Sequence, residues 1–125
     1  MSTPNPAVEP IYATGRWLVD EGRHEGAMHV FRALMMAAPA DERAWLGLGI
    51  CHESVGQART AIALYAMGAQ VGASVRCHVA RARALRSIDD AEGAKAALDD
   101  ASSLAEGLHD DDVEALLEAE RNPAR

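Results

Sequence analysis

The feature that most restricts the fold of this chain is a fixed spacing. Gly15 and Gly49, Gly22 and Gly56, Ala27 and Ala61, and Phe31 and Tyr65 form four pairs of like residues, each 34 positions apart. A recurrence of that length is one supersecondary unit used again, and such a unit cannot bury its apolar face alone. The chain must therefore stack its copies side by side. Alanine supplies 26 of the 125 residues, which favours helix and close helix packing.

The period and the residue types match the tetratricopeptide repeat, a helix-turn-helix unit with small and large residues at set positions. Trp45, Leu48, Gly49 and His52 take its first-helix positions, Gly56 its turn, and Ala61 and Tyr65 its second-helix positions. An earlier copy holds Ile11, Thr14, Gly15, Leu18, Gly22, Ala27 and Phe31, closed by Pro39. A third follows at 33 residues with Ala82, Leu85, Asp89, Ala94 and Leu98. Gly15, Gly49 and Ala82 should let the first helix of each repeat approach the second at Ala27, Ala61 and Ala94. Phe31, Tyr65 and Leu98 should fill the space toward the next repeat.

The expected fold is an all-α tetratricopeptide-repeat (TPR) solenoid of three helix-turn-helix repeats plus a C-terminal capping helix. Helices are predicted at about 8–20, 24–37, 41–54, 58–71, 74–87 and 90–105. Asp41 and Ser74 are expected N-caps. A seventh helix, about 110–121, opens on three aspartates that suit the positive end of a helix dipole, and its Val113, Leu116 and Leu117 form one stripe. Residues 1–9 are assigned to a flexible arm, 10–106 to the repeat domain and 107–125 to the capping helix and tail.

Most chemistries lack residues to carry them. The five histidines and two cysteines show no metal-ligand spacing, and no nucleophile elbow, phosphate loop or dinucleotide fingerprint is present. No enzymatic activity, metal or cofactor is expected. Cys51 and Cys77 read as small buried hydrophobes. A net charge of -7 and five aromatic side chains disfavour nucleic acid as a partner. The apolar run 33–40 is too short for a membrane span, and no leader pattern opens the sequence, so a cytosolic protein is expected.

The remaining candidate surface is the concave face, which first helices line in such solenoids. Its predicted residues are Tyr12, Arg16 and Val19 from the first repeat, Arg43, Leu46, Ile50 and Glu53 from the second, and Arg76, Val79, Arg83 and Arg86 from the third. Five of the 12 basic residues of an acidic chain fall there. Arginines among aliphatic neighbours suit an extended peptide with apolar anchors and some carboxylates.

Several blocks carry a narrower resemblance: Val30-Phe31-Arg32-Ala33-Leu34, Trp45-Leu46-Gly47-Leu48-Gly49-Ile50-Cys51, Gly56-Gln57, and Tyr65-Ala66-Met67-Gly68-Ala69. Over about residues 10–106 the chain resembles the class II chaperones of bacterial type III secretion, the low-calcium-response H type. That resemblance implies a bacterial cytoplasmic chaperone that holds an extended segment of hydrophobic translocator proteins in its groove and keeps them soluble until export. Partly unfolded translocators would then be the partners, with a homodimer left open and neither nucleic acid nor membrane bound. A TPR scaffold or regulatory adaptor that joins folded proteins is the competing reading.

Overall fold

The computed structural model describes residues 5–122, which form seven helices: α1 (Val8–Asp20), α2 (His24–Ala37), α3 (Glu42–Ser54), α4 (Ala58–Val71), α5 (Val75–Ser87), α6 (Ala91–Ala105) and α7 (Asp111–Arg121). Each consecutive pair packs together. Contacts between α1 and α3, α3 and α5, and α5 and α7 join the first helices of successive repeats into one layer. Every predicted helix is present, with ends shifted by one residue at most. Val8 and Glu9, assigned to the arm from sequence, are helical, whereas residues 1–4 of that arm and 123–125 of the tail lie outside the described residues.

Turn chemistry explains the repeat boundaries. Gly22 and Gly56 adopt φ of 74° and 80°, and Asp89 stands at the equivalent place in the third repeat with φ 64°. The left-handed backbone is conserved by geometry even where glycine is lost, because a short polar side chain tolerates it better than a bulky one. Asp41 accepts from Arg43 N–H and Ser74 from Cys77 N–H, as expected of N-caps. Asp90 and Asp110 do the same for α6 and α7.

The core runs the length of the stack. Ala27, Phe31, Leu34, Ala44, Trp45, Leu48 and Cys51 fill the first two repeats. Ala61, Tyr65, Ala80 and Ala84 link the second to the third. Gly15 and Gly49 are packing residues, but the neighbours that require them differ from expectation. A Cβ on Gly15 would stand 2.8 Å from Phe31 Cζ, and one on Gly49 2.6 Å from Tyr65 Cζ. The small residue thus makes room for an aromatic ring of the second helix rather than for its alanine. In the third repeat, which lacks that ring, Ala82 does pack with Ala94 and Ala97.

Helix α7 closes the stack. Val113 and Leu117 bury themselves against Val75, Val79, Ala101 and Ala105, with Leu98 and Leu116 at the edge. Ala94 belongs to a different cluster and is not covered by α7.

Candidate functional site

The concave face carries a hollow of about 150 Å³ between α1 and α3. Six of the eleven predicted groove residues line it: Tyr12, Arg16, Val19, Arg43, Leu46 and Ile50. Tyr12, Val19 and Leu46 are half-buried, and Ile50 is 38% exposed, so apolar surface faces solvent where the two helices diverge. Phe31 and Gly47 complete the lining. Neither was among the predicted groove residues, since both hold core positions. The signal that could have found them is the glycine itself, because a Cβ on Gly47 would sit 2.5 Å from Phe31 Cζ and nearer still to two other ring carbons. Phe31 reaches the groove floor only because α3 presents no side chain there.

One wall of the hollow is fixed by charge. Arg43 donates through Nε and Nη2 to both carboxylate oxygens of Asp41, at 3.0 and 2.8 Å, and through Nη1 and Nη2 to Glu9, at 3.0 and 2.6 Å. Its guanidinium lies 4.5 Å from the centroid of the Tyr12 ring. These bonds hold the carboxyls of Glu9 and Asp41 below their ordinary range. The fork of Arg43 is therefore spent on joining the first turn of α1 to the N-cap of α3 and on stacking over Tyr12. Any further carboxylate would have to displace two resident ones, which corrects the reading of Arg43 as a free anion-binding group.

The other groove arginines are largely engaged as well. Arg16 lies 3.7 Å from Asp20, Arg76 3.8 Å from Glu42, and Arg86 2.6 Å from Glu120 on α7. Among the described residues, Arg83 alone of the five forms no ion pair. Glu53 accepts a 2.6 Å bond from the Tyr65 hydroxyl, and burial, followed by that bond, raises the phenol above its ordinary value.

Val79 does not belong to the open groove. At 1% exposure it lies beneath α7 with Val113 and Leu117. The repeat register places its position on the concave side with Tyr12 and Leu46, but α7 packs directly over it. Cys51 and Cys77 are fully buried, and burial pushes the Cys77 thiol up to about 11. Among the described residues no group of three or more His, Cys, Asp or Glu side chains could hold a metal ion, and no helix is long and apolar enough to cross a membrane.

The comparisons with known proteins fall on this same architecture. A tetratricopeptide repeat family model matches residues 18–73. The low calcium response locus protein H of Yersinia pestis is 37% identical over 62 residues, which is 50% of this chain and 37% of that protein, so the match spans little more than a third of the curated relative. The Yersinia enterocolitica type III secretion chaperone SycD, in complex with a peptide of the translocator YopD, superposes with a TM-score of 0.71 at 28% identity, covering 94% of this chain and 95% of that one. PcrH, a Pseudomonas aeruginosa protein, in complex with the chaperone binding region of PopB gives a TM-score of 0.80 at 28% identity, covering 96% of each chain. Over nearly its whole length the chain thus shares the fold of type III secretion translocator chaperones, and its central part matches the tetratricopeptide repeat.

Proposed function

We propose that this protein is a type III secretion chaperone of the bacterial cytoplasm, which seats an extended segment of a hydrophobic translocator along its concave face and keeps the translocator soluble before export. The observation that carries the reading is the α1–α3 hollow: an apolar recess on the concave side, lined mainly by first-helix side chains and floored by Phe31 of α2. SycD and PcrH are relatives of the same fold, and their structures hold a YopD peptide and a chaperone binding region of PopB. An extended segment satisfies such a site because its alternate side chains can enter a pocket while the backbone stays accessible to polar groups of the rim. Binding without covalent chemistry is all that the role demands.

Each part of the site has a task. Leu46, Ile50, Val19 and the Tyr12 ring offer apolar surface to one buried anchor of the cargo. The Arg43 pairs hold the wall beside Tyr12, so the recess exists before cargo arrives and less ordering is needed on binding. The test is co-expression with a translocator from the same bacterium, followed by affinity capture and a solubility assay. Tyr12→Ser, Leu46→Ser and Ile50→Ser should each reduce captured and soluble translocator while helicity stays unchanged. Arg59→Glu and Lys95→Glu, on exposed positions of α4 and α6, should retain it. Equal cargo rescue by both sets would remove the concave face as the binding site.

A further inference from the structure

The charges of the concave face are unevenly spent, and that unevenness has a chemical meaning for the bound segment. Arg16, Arg43, Arg76 and Arg86 each already face a carboxylate of the protein itself. Arg83 is exposed on α5, at the repeat position that Ile50 holds on α3 and Arg16 on α1, and no carboxylate among the described residues lies within ion-pair distance of it. Glu53 accepts from the Tyr65 hydroxyl and forms no ion pair with Arg83. The groove thus offers an apolar recess, at α1–α3, and, among the described residues, one arginine without an ion pair, a helix and a half further along the layer.

We infer that Arg83 is a specificity-determining residue that pairs with an acidic side chain of the cargo segment, set about three to four residues from the apolar anchor that fills the α1–α3 hollow. The spacing comes from geometry. Packed helix axes lie about 8–10 Å apart, so one and a half steps span roughly 12–15 Å. Extended chain advances about 3.3 Å per residue, which makes that distance about four residues, and the reach of an arginine and an aspartate shortens it by about one. A segment of this pattern would register in only one way, with its aliphatic residue in the recess and its carboxylate at Arg83. The inference rests on the groove reading proposed above, and it adds the chemistry that would select among apolar segments.

Synthetic fluorescent peptides of extended, otherwise neutral sequence, with one leucine anchor and an aspartate three or four residues to either side, provide the test, beside the same peptides with asparagine. Binding is read by fluorescence polarisation to the full chain. In one chain direction the aspartate peptide should bind wild type about threefold to fivefold more tightly than its asparagine counterpart, as expected of a solvent-accessible charge pair. That advantage should shrink as salt is raised. Arg83→Gln should erase it while leaving the asparagine peptide unaffected, and Arg59→Gln on α4 should preserve it. Equal binding of aspartate and asparagine peptides to wild type, or an advantage that survives in Arg83→Gln, overturns the role of Arg83 and leaves the groove reading standing. Failure of every peptide, together with failure of translocator capture, overturns both.

Discussion

Gly47→Ala tests the link between core packing and the groove. A methyl group there would meet the Phe31 ring at van der Waals overlap, with Cζ only 2.5 Å away. The ring has no retreat on its other side, where a Cβ at Gly15 would stand 2.8 Å from the same Cζ, and Phe31 is 1% exposed. Replacing glycine by alanine inside a helix gains about 0.5–1 kcal/mol from backbone entropy. Forcing an extra methyl into a packed site costs about 1–3 kcal/mol, so overpacking wins and the net loss is about 1–2 kcal/mol. For a domain of this size that lowers the thermal midpoint by about 4–8 °C. The only soft direction for the ring is the hollow it lines, so peptide affinity should fall as well. Gly26→Ala is the control of opposite sign: its Cβ would rest 3.7 Å from the Leu18 methyl carbons, an ordinary contact, and only the entropic gain of up to about 1 kcal/mol remains. Circular dichroism melts of both variants decide the matter. A Gly47→Ala protein as stable as wild type, or no more affected than Gly26→Ala, would refute the argument that α3 approaches Phe31 at the limit of contact.

Three further outcomes are expected. Tyr65→Phe removes the donor to Glu53 and leaves a half-buried carboxylate without it, which should cost about 1–2 kcal/mol in urea unfolding, near the low end for bonds to charged groups because Glu53 retains some access to water. Deleting residues 108–125 uncovers Val75, Val79, Ala101 and Ala105, at roughly 1.5–3 kcal/mol for each large aliphatic side chain exposed, and should give self-association in sedimentation velocity; a monomer of unchanged stability would show that α7 is no cap. The carboxyls of Glu9 and Asp41 titrate below their ordinary values in the folded protein, so the stability they contribute is complete above the unfolded carboxylate range and is lost as pH falls through the folded values, from about pH 4 downward. Arg43→Gln should flatten that acid limb in pH-dependent melts, and an unchanged limb would mean that other carboxylates control it.

Much of the fold was legible because repetition multiplies weak signals. One glycine at φ near 75° is an ordinary turn, but Gly22, Gly56 and Asp89 at matching places mark three turns of one kind, and the helix boundaries follow from them. The capping role of α7 was equally visible in the stripe of Val113, Leu116 and Leu117. What that stripe covers was not, because burial of a concave position depends on where the following helix lands. Val79 shares its repeat position with Tyr12 and Leu46, yet only Val79 has the capping helix over it. The floor of the hollow was not legible for a related reason: Phe31 reads as core from sequence, and at 1% exposure it is core, but the absence of a side chain at Gly47 lets its ring come up to the floor of the groove.

The partners of the arginines were hidden by long sequence separation, although the separation itself is regular. Glu9 and Arg43, Glu42 and Arg76, and Arg86 and Glu120 are each 34 residues apart, one repeat along the layer of first helices. Side chains at equivalent or adjoining positions of neighbouring first helices face one another, so a 34-residue spacing between opposite charges is the solenoid counterpart of the four-residue spacing within a single helix. The last of these pairs has a structural consequence, because Glu120 belongs to α7. That helix therefore continues the layer of first helices, and it covers Val79 as α5 adjoins α3. Counting arginines on a face overstates its positive charge whenever the period supplies a carboxylate. Position 83 breaks the pattern: 34 residues before it stands Gly49 and 34 after it Leu117, neither able to carry charge, and so the period that neutralises its neighbours supplies Arg83 with no carboxylate.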